Sequence, residues 1–495
     1  MSSQALNSPG RSSTDIPITK VAPNIWEVPS SYRQGMKVPA RIYADEDLLA
    51  KMRTDRTLQQ CVNVAHLDGI YKYSITMPDG HEGYGFPIGG VAATDYDEGL
   101  ISPGGVGYDI NCGVRLIRTN LTEEQVKPVL PKLVDTLFNF IPSGLGSKGK
   151  VRLTTSELDK AVTDGLDWAI DKGYAWPEDP KTIEEEGCLE AADPSKVSSN
   201  AKSRGAPQLG SLGSGNHFVE IERADRVFDK RVADRLGIHQ VGQILILIHT
   251  GSRGYGHQTC SDYLKVMERA VNKYNIHLPD RELAACPSKS PEAEDYIPAM
   301  SAACNFAWVN RQMITHWARQ AFEKVFEKPA DSMDMKIVYD VAHNVAKVES
   351  HNIDGDVKKV IVHRKGATRS FPPGHPDVPA QYRDIGQPVL IPGSMGTSSW
   401  VLIGAPKAME LSFGTTAHGA GRFMSRSAAR HKWWGADLKK TLESRGIVIR
   451  AASMEVVAEE APDAYKDVDR VVEVSHQLGI GLKVVRMTPI GVAKG

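Results

Sequence analysis

A carboxylate and a thiol stand three residues apart in a glycine-rich stretch of this sequence. Asp109 and Cys112 lie within residues 104–113, which contain four glycines. Both side chains of a D-x-x-C pair can point at one cation, and glycines allow the tight backbone turn that this requires. The alternative is a turn before a strand over residues 113–118, in which Cys112 is a small buried apolar residue. From this stretch alone, Asp109 and Cys112 could be a pair of metal ligands, or Cys112 could be a packing residue.

Four of the fifteen histidines occur in settings that favour metal binding or catalysis. His217 follows a Gly-Ser-Gly-Asn run, His249 and His343 stand near the ends of predicted strands, and His418 precedes Gly-Ala-Gly. Each one alone could be a core histidine held by one backbone hydrogen bond. Together with a carboxylate and a thiolate, they form a ligand set for a borderline divalent ion such as zinc, manganese or iron. We therefore predict a metal centre, and the sequence leaves open whether Cys112 bridges two ions.

Two further loops have the composition of nucleotide-binding segments. Residues 392–399 offer backbone N–H groups and hydroxyls of the kind that cradle phosphates. His418 stands beside a flexible backbone and the guanidinium of Arg422, which suits a nucleophile that accepts a phosphoryl group. Neither loop is a Walker A motif, and ordinary turn chemistry is an equal alternative for each. The basic runs 364–369 and 422–432 could contact phosphates or could be solvated surface.

Three predicted strands place His249, His343 and the basic run 364–369 in the fold. A continuous apolar run over residues 244–248 predicts a buried strand that ends at His249. Residues 336–340 predict a second strand ahead of His343, and residues 360–363 a third, followed by a basic loop over 364–369.

Helices are predicted over residues 45–60, 123–140 and 156–172, the second of them from its apolar periodicity, and one long helix or two are predicted over 300–326. Pro128 and Pro131 should confine the regular part of the second helix to its later half. Ser156 is the predicted N-cap of the third, with Asp159 three residues on as in a capping box.

The order of these elements favours an α+β fold, since strands and helices alternate irregularly and no internal repeat occurs. We expect one complex domain over residues 21–495, with mixed β-sheets and surrounding helices. A flexible tail is predicted over residues 1–20, which begin with a stretch rich in Ser, Pro and Gly. Residues 184–202 are polar and charged and are predicted to form a surface insertion.

The composition is that of an ordinary globular protein, with 24% charged residues and a net charge of -1. No global positive charge marks a nucleic-acid-binding protein, so such a surface would have to be a local patch. The six cysteines have irregular spacings and predict no disulfide framework. No apolar run could span a bilayer, and the N-terminus lacks a signal-peptide core. We therefore expect no membrane partner and a cytoplasmic location.

Several motifs occur in an order that closely resembles the RtcB family of RNA-splicing ligases. They are Asp109-Ile110-Asn111-Cys112-Gly113, Gly215-Asn216-His217, His249-Thr250-Gly251-Ser252-Arg253-Gly254, His343-Asn344, Gly393-Ser394-Met395-Gly396-Thr397, His418-Gly419-Ala420-Gly421-Arg422 and the final Pro489–Gly495. The resemblance implies a ligase that uses GTP and Mn²⁺ to join an RNA 3′-phosphate, or a 2′,3′-cyclic phosphate, to a 5′-hydroxyl. It also implies RNA such as tRNA halves as the substrate and an archease protein as an activator.

The same resemblance gives roles to individual positions. Asp109, Cys112 and His217 would hold one of two Mn²⁺ ions. Cys112, His249 and His343 would hold the other, with Cys112 bridging, and His418 would be the nucleophile that takes GMP. Besides His217, His343 and His418, the nucleotide site would include Asn216, Glu220, Asn344, Pro392, Gly393, Ser394, Met395, Ser399, Gly419, Ala420, Gly421 and Lys494. Candidates for contact with RNA phosphates are Arg253, Arg364, Lys365, Arg369 and Arg422.

Two other functions would explain part of the pattern. A binuclear metallophosphoesterase would account for the Asp, Cys and His cluster but would leave His418 and Lys494 without a role. A non-catalytic RNA-binding subunit would use the basic residues, but it would not require a thiolate metal centre.

Overall fold

The structure, a computed structural model, describes residues 16–495. The strands are β1 (Thr19–Ala22), β2 (Ile25–Val28), β3 (Ala40–Tyr43), β4 (Ser74–His81), β5 (Ile88–Asp95), β6 (Leu100–Ile101), β7 (Gly113–Thr122), β8 (Phe218–Val227), β9 (Gln243–Thr250), β10 (Cys286–Pro287), β11 (Ile337–Ala342), β12 (Asn344–Ile353), β13 (Asp356–Lys365), β14 (Ala367–Arg369), β15 (Pro388–Ile391), β16 (Ser399–Ile403), β17 (Thr415–Ala417), β18 (Val448–Ala451) and β19 (Leu482–Lys494).

The helices are α1 (Glu46–Met52), α2 (Thr57–Val64), α3 (Glu123–Val126), α4 (Leu130–Phe140), α5 (Thr155–Asp164), α6 (Leu166–Asp171), α7 (Ser199–Gly205), α8 (Lys230–Arg235), α9 (Arg253–Lys273), α10 (Pro291–Phe326), α11 (Pro406–Ser412), α12 (Arg426–Lys432), α13 (Gly435–Ser444), α14 (Met454–Glu459) and α15 (Val468–Leu478). Within the described range, no helix combines the length and the apolar character that crossing a membrane would need.

Two large sheets organise the chain. The first has the strand order β1-β2-β3-β4-β5-β13-β12, and the second has the order β11-β7-β9-β8-β19-β16-β15 with β18 added beside β19. The pairs β3–β4 and β18–β19 are parallel, whereas the other pairs in these two sheets are antiparallel. The chain passes from the second sheet to the first at His343, the single residue between β11 and β12. A side chain at that position is therefore held where the two sheets meet.

Helix α10 is the main support of the second sheet. Its 36 residues span about 54 Å at the usual rise per residue, and most positions from Ala299 to Val325 are buried. Its apolar side chains share the largest core cluster with residues of α4, α5, α9, β7 and β9. A separate cluster packs α1, α2 and α15 against the first sheet. Both sheets thus have a hydrophobic core of their own, and the fold is α+β as predicted.

Several predicted elements are confirmed. The apolar run over 244–248 is the centre of β9, and all eight residues of that strand are buried. The predicted helix over 300–326 is part of the single helix α10. In the segment 123–140 a short 3-10 turn at Lys127–Val129 follows α3, so the regular helix α4 begins only at Leu130. The two prolines cause this because neither can donate a helical hydrogen bond.

Other boundaries differ from the predictions. The cap of α5 is Thr154, whose side chain accepts from the N–H of Glu157 in a capping box, so the prediction of Ser156 with Asp159 is wrong. The helix predicted over 45–60 is two helices, α1 and α2. Residues 1–15 of the predicted tail over 1–20 lie outside the described residues. Within the rest of the tail, Ile16 is buried and β1 begins at Thr19. In the segment 184–202 Glu184 is buried and pairs with Lys347 at 2.5 Å, so a surface position is wrong for that residue.

Candidate active site

The loop before β7 brings Asp109 and Cys112 to the same side. The N–H of Cys112 donates to the carbonyl of Asp109 at 2.9 Å, which closes a tight turn. Asn111, inside this turn, has a φ of 50°, and its side chain donates to the carbonyl of Cys304 at 2.8 Å. Gly113 follows directly, and a Cβ at this position would lie 2.1 Å from the carbonyl oxygen of Val341. The glycine is therefore required for the loop to approach β11.

The second sheet places three histidines around this loop. Strand β7 pairs with β9 so that Val114 lies opposite His249, and it pairs with β11 so that Gly113 lies opposite Ala342, next to His343. On the other side of β9, Phe218 lies opposite His249, which puts the preceding residue, His217, at the same end of the sheet. Residues more than two hundred positions apart are thus adjacent because their strands are neighbours.

The side chains of Asp109, Cys112 and His217 form a compact group whose ligand atoms all lie within 4.8 Å of one another. His217 Nε2 is 3.0 Å from Asp109 Oδ2 and 3.6 Å from Cys112 Sγ. His249 Nε2 approaches the same sulfur from another direction, at 3.3 Å. His343 is joined to this group by an edge contact with the His249 ring, at 5.7 Å between ring centroids. Cys112 therefore stands at the centre of the predicted ligands.

Hydrogen bonds behind the ligands fix their orientation. His217 Nδ1 donates to the carbonyl of Leu212 at 3.0 Å, and His343 Nδ1 bonds with Thr368 Oγ1 at 2.8 Å. The N–H of Ser252 donates to Asp109 Oδ1 at 3.0 Å. With Nδ1 occupied in both histidines, Nε2 is the atom that each presents to the cluster.

The electrostatics of the cluster favour a bound cation. Burial raises the pKa of the Cys112 thiol well above its usual value, and the nearby Asp109 carboxylate raises it further. Burial likewise lowers the pKa of His249 and His343 well below the usual value, so both imidazoles are neutral. His343 Nε2 is buried with no hydrogen-bond partner among residues 16–495. A divalent ion would satisfy this nitrogen and displace the thiol proton, so the residues present fit a metal centre.

His418 is held by a carboxylate from the first sheet. Asp79 Oδ2, in β4, accepts from His418 Nδ1 at 2.5 Å, from the His418 backbone N–H at 2.9 Å and from the Gly419 N–H at 3.3 Å. Gly421 completes the contact, because its φ is 70° and a Cβ there would lie 2.2 Å from the carbonyl oxygen of Asp79. The bond at Nδ1 leaves Nε2 of His418 as the ring nitrogen that is available to a ligand. The ring lies 5.3 Å from that of His343, between centroids.

Asp79 and Lys466 are not among the site residues that the sequence predicts. Burial would raise the pKa of Asp79, but the charge and hydrogen bonds of His418 hold it below its usual value. Lys466 is also buried and donates to the carbonyl of Gly80, and burial lowers its pKa to about 8. The only signal in the sequence is the concentration of glycines around Asp79, His81 and Glu82. Nothing local indicates the partner of Asp79, which is 339 residues away.

A cavity of about 860 Å³ joins the metal ligands to His418. This volume suits a nucleotide-sized ligand. Among the predicted site residues, the following line it: Asp109, Cys112, Asn216, His249, His343, Asn344, Lys365, Pro392, Gly393, Ser394, His418, Gly419, Ala420, Gly421, Arg422 and Lys494. Arg426, from the basic run 422–432, lines it as well. Phe218 and Tyr465 also line it and were not predicted, since single aromatic residues carry no local signal.

The last strand, β19, carries Lys494 into this cavity. Lys494 pairs with Phe218 of β8 and with Ala451 of β18, and only 2% of its side chain is exposed. Its Nζ lies 3.8 Å from Glu460 Oε2 and 5.4 Å from the centroid of the Phe218 ring. Burial lowers the pKa of Lys494, while Glu460 and Glu220 oppose that shift. A buried ammonium at the wall of a cavity is suited to bind an anionic or carbonyl group of a ligand.

Some predicted nucleotide contacts lie outside the cavity wall. Met395 is buried in an apolar cluster with Leu442 and Val492, so its side chain does not line the cavity. Ser399 is also buried, and its Oγ accepts from the N–H of Gly393 at 3.1 Å, which fixes the loop 392–399. Glu220 is fully buried on β8, in the electrostatic reach of Lys494.

Two of the five predicted RNA-phosphate contacts, Arg364 and Arg369, do not fit the geometry. Arg364 is buried and pairs with Glu349 at 2.5 Å, and Arg369 is buried and pairs with Glu185 at 2.7 Å. Arg364 and Lys365 belong to β13, and Arg369 belongs to β14, so the basic loop predicted over 364–369 is wrong. Buried ion pairs hold these charged side chains inside the sheets, where they cannot reach an external phosphate.

The three remaining basic candidates are nearer to the site. Arg422 lines the cavity but is held by Glu460 at 3.1 Å and by the carbonyl of Glu459 at 2.7 Å. Lys365 lines it and donates to the carbonyl oxygens of Tyr84 and Phe86. Arg253 is partly buried and bonds with Ser211 Oγ at 3.3 Å, close to the Asp109 charge.

Comparison with known proteins gives consistent matches. The family profile described as tRNA-splicing ligase RtcB matches residues 60–495. A protein named tRNA-splicing ligase RtcB from Thermococcus kodakarensis is 60% identical over 480 residues, covering 97% of this chain and 99% of the relative. Proteins of the same name from Pyrobaculum aerophilum and Aeropyrum pernix are 57% and 58% identical, each covering 97% of this chain and 100% of the relative. The matched segment includes the metal ligands, His418 and Lys494.

Proposed function

The chain belongs to the RtcB family of tRNA-splicing ligases, and on this premise we propose that it joins RNA ends with GTP and two Mn²⁺ ions. The RNA ends are a 3′-phosphate, or a 2′,3′-cyclic phosphate, and a 5′-hydroxyl. The reaction passes through GMP bound to His418. RNA such as tRNA halves is the substrate, and an archease protein acts as the activator.

The arrangement of His418 is the observation that carries this proposal. Its Nδ1 is tied to Asp79, so Nε2 is free to attack, and the ring lies 5.3 Å from that of the metal-ligand candidate His343. A histidine nucleophile oriented by a carboxylate beside a metal centre fits nucleotidyl transfer, in which a covalent intermediate divides one difficult step into two.

The steps follow from these positions. His418 Nε2 attacks the α-phosphorus of GTP, so that a P–N bond forms and the bond to pyrophosphate breaks. Where the RNA ends in a 2′,3′-cyclic phosphate, water first opens the ring by breaking the P–O2′ bond, which leaves a 3′-phosphate and a 2′-hydroxyl. An oxygen of the RNA 3′-phosphate then displaces His418 and takes the GMP. The RNA 5′-hydroxyl attacks the activated 3′-phosphate, a phosphodiester forms and GMP leaves.

The residues of the cavity support each step. Asp79 stabilises the positive charge that develops on the imidazole as the P–N bond forms. Two Mn²⁺ ions would neutralise phosphate charge when bound. The residues that would hold them are Asp109, Cys112, His217, His249 and His343. Lys494, whose Nζ lies over the Phe218 ring, and Tyr465 also line the cavity and would contact the guanylate.

Incubation with Mn²⁺ and GTP labelled at the α-phosphate tests the proposal. The wild-type chain should retain a covalent label that is acid-labile and base-stable, as a phosphoramidate is, and His418→Ala should retain none. A label that survives acid would instead indicate a serine or threonine ester.

The same assay separates the alternatives. A binuclear metallophosphoesterase or a non-catalytic RNA-binding subunit should retain no label. In a second assay, RNA with a 3′-phosphate and a 5′-hydroxyl should be joined, whereas joining of a 3′-hydroxyl to a 5′-phosphate would require a different chemistry.

A further inference from the structure

Helix α12 is exposed on almost every side. Of its seven residues, from Arg426 to Lys432, Ala429 is the only one that is buried. The helix is held at its start by Ser425, whose Oγ accepts from the N–H of Ala428 at 3.1 Å. Arg426 and Arg430 attach it to α14 and the residue that follows, through ion pairs with Glu460 at 3.1 Å and Glu459 at 3.2 Å. Such a helix adds little to the core, so its exposed faces are available to a ligand.

This helix leads outward from the cavity. Phe423, Ser425 and Arg426, at its start, line the cavity wall. Seven residues of helix extend about 10 Å, and Trp433 and Trp434 follow at the far end. Phe423 is 41% exposed and Trp434 is 74% exposed, both high values for large aromatic side chains. One aromatic ring thus lies at the mouth of the cavity and another beyond the helix.

Positive charge accompanies these rings. Residues 422–445 contain seven Lys or Arg and two acidic residues. Lys51 Nζ lies 5.1 Å from the centroid of the Phe423 ring, and Lys432 Nζ lies 4.6 Å from that of Trp433. Lys432 and Lys440 have no ion pair with any residue in the range 16–495, so their charges remain available. Exposed aromatic rings interleaved with free cations are the combination that binds single-stranded nucleic acid.

We propose that the surface formed by Phe423, α12 and Trp434, here called the α12 surface, binds the single-stranded end of the RNA and directs it into the cavity. This inference rests on the proposed function, and it names the path of the substrate. Bases stack on Trp434 and Phe423, while Lys432 neutralises a phosphate between them. It also gives the RNA a binding surface that does not depend on Arg364 and Arg369, which are buried in ion pairs.

Trp434 and Lys432 allow a direct test because neither lines the cavity. The double variant Trp434→Ala/Lys432→Ala should bind a fluorescent single-stranded RNA with a 3′-phosphate about tenfold or more weakly, since stacking and phosphate contacts are lost together. Lys432→Ala alone should also reduce the salt dependence of binding by about one counterion. Labelling of His418 by GTP, which needs no RNA, should proceed at the wild-type rate.

A matched control is the double variant Val357→Ala/Lys358→Ala. Val357 is 74% exposed, as Trp434 is, and the pair lies at the β12–β13 turn, at the end of β13 opposite to Lys365. Val357 and Lys365 are about 26 Å apart along that strand, so the control should bind RNA normally. The conservative variant Trp434→Phe should restore most of the affinity lost in Trp434→Ala, because it keeps an aromatic face.

Four results would overturn the proposal. RNA binding that is unchanged in the double variant would exclude the α12 surface from the RNA path. Equal losses in the control variant would mean a non-specific effect of charge, and a loss of GTP labelling would mean a defect of the cavity itself. Unchanged RNA binding with loss of activation by an archease protein would assign the surface to a protein partner. Failure of the wild-type chain to form a covalent adduct with GTP would instead contradict the proposed function. The RNA-binding measurement does not depend on that labelling assay.

Discussion

At the scale of single residues, the bond between Asp79 and His418 decides which imidazole nitrogen can react. Asp79 is fully buried and accepts three hydrogen bonds at one oxygen, two of them from the backbone around His418. The carboxylate therefore fixes both the position of the loop and the tautomer of the ring. Asp79 is not among the residues that line the cavity, so we assign it the role of a positioning residue.

Asp79→Asn should slow the labelling of His418 by GTP. The amide keeps the size of the side chain but removes the negative charge, and losing a charge-assisted hydrogen bond costs about 1.5–3 kcal/mol, which corresponds to roughly ten- to a hundredfold in rate. A time course with GTP labelled at the α-phosphate measures the rate. Metal content should not change, because Asp79 is not among the ligands, and labelling at the wild-type rate would show that the bond has no orienting role.

A second pair of residues consists of two carboxyl groups that are buried close to each other. Glu220 and Glu222 are two positions apart on β8, so their side chains lie on the same face, and both are fully buried. Neither carboxyl group has a well-formed hydrogen bond within residues 16–495, although the two groups and Ser399 are close to one another. Burial raises the pKa of Glu220 to about 7, against the effect of Lys494, and raises that of Glu222 well above its usual value. At neutral pH Glu222 therefore holds a proton.

Glu222→Gln should make the free energy of unfolding less sensitive to pH. In the folded chain this pair keeps protons that the unfolded chain releases near pH 4.5. Its stabilising contribution is thus complete below that pH and is lost as the pH rises through the folded pKa values. Removing one titrating group should favour the variant by up to about 1.4 kcal/mol per pH unit above about pH 5. Urea unfolding at several pH values measures this, and parallel pH curves for variant and wild type would contradict it.

At the scale of elements, the final strand β19 belongs to the second sheet and also brings Lys494 to the cavity. Within β19, Val492 and Lys494 pair with β8 on one side and β18 on the other, and the N–H of Ala452 donates to the Lys494 carbonyl at 3.1 Å. Removing the last two residues would therefore break sheet hydrogen bonds as well as removing the ammonium group. A substitution separates the two effects.

Lys494→Met should weaken the use of GTP while leaving the strand intact. The lost charge-assisted contact is worth about 1.5–3 kcal/mol, so the concentration of GTP needed for half-maximal labelling should rise roughly ten- to a hundredfold. Manganese binding should be unaffected. Lys483→Met is the matched control, because Lys483 is in the same strand but pairs with Glu473 outside the cavity. If both variants behave as wild type does, Lys494 does not contact the nucleotide.

Elements with an apolar pattern could be predicted from the sequence, whereas those built on buried charge could not. Strand β9 and most of helix α10 lie where the sequence predicts them, although α10 is a single helix that begins at Pro291, nine residues before the predicted segment 300–326. The prediction of an exposed basic loop over residues 364–369 is wrong because Glu349 and Glu185 neutralise Arg364 and Arg369. These partners are distant in sequence and give no local signal. The cap of α5 was placed two residues late because Ser156 with Asp159 and Thr154 with Glu157 have the same spacing. Local patterns cannot distinguish such cases.

The site residues show the same limit. Asp109, Cys112 and the four histidines could be identified because their residue types bind metals or react, and because glycines surround several of them. Asp79 and Lys466 could not, since their roles depend on contacts between β4 and segments more than 300 residues further on. Tertiary pairing, and not residue type, makes these two groups part of the site.

At the scale of the whole molecule, the candidate metal ligands connect segments that are remote along the chain. Asp109 and Cys112 precede β7, His217 precedes β8, His249 ends β9 and His343 joins the two sheets. These groups can converge only in the folded chain. A metal ion bound to them therefore favours the folded state over the unfolded state, and its binding free energy adds to the free energy of unfolding.

Addition of Mn²⁺ to the metal-free chain should raise the melting temperature, and a chelator should reverse the change. A free metal concentration one hundred times the dissociation constant adds about 2.7 kcal/mol to the free energy of unfolding. In Cys112→Ser this increase should largely disappear while circular dichroism shows the native fold, because a hydroxyl is a poor substitute for a central thiolate. Cys61→Ser is the control: Cys61 is also buried, but it lies against Ser74 in the core of the first sheet, away from the ligands. A full increase in Cys112→Ser would exclude Cys112 as a ligand, and the absence of any increase in wild-type protein would contradict the metal centre itself.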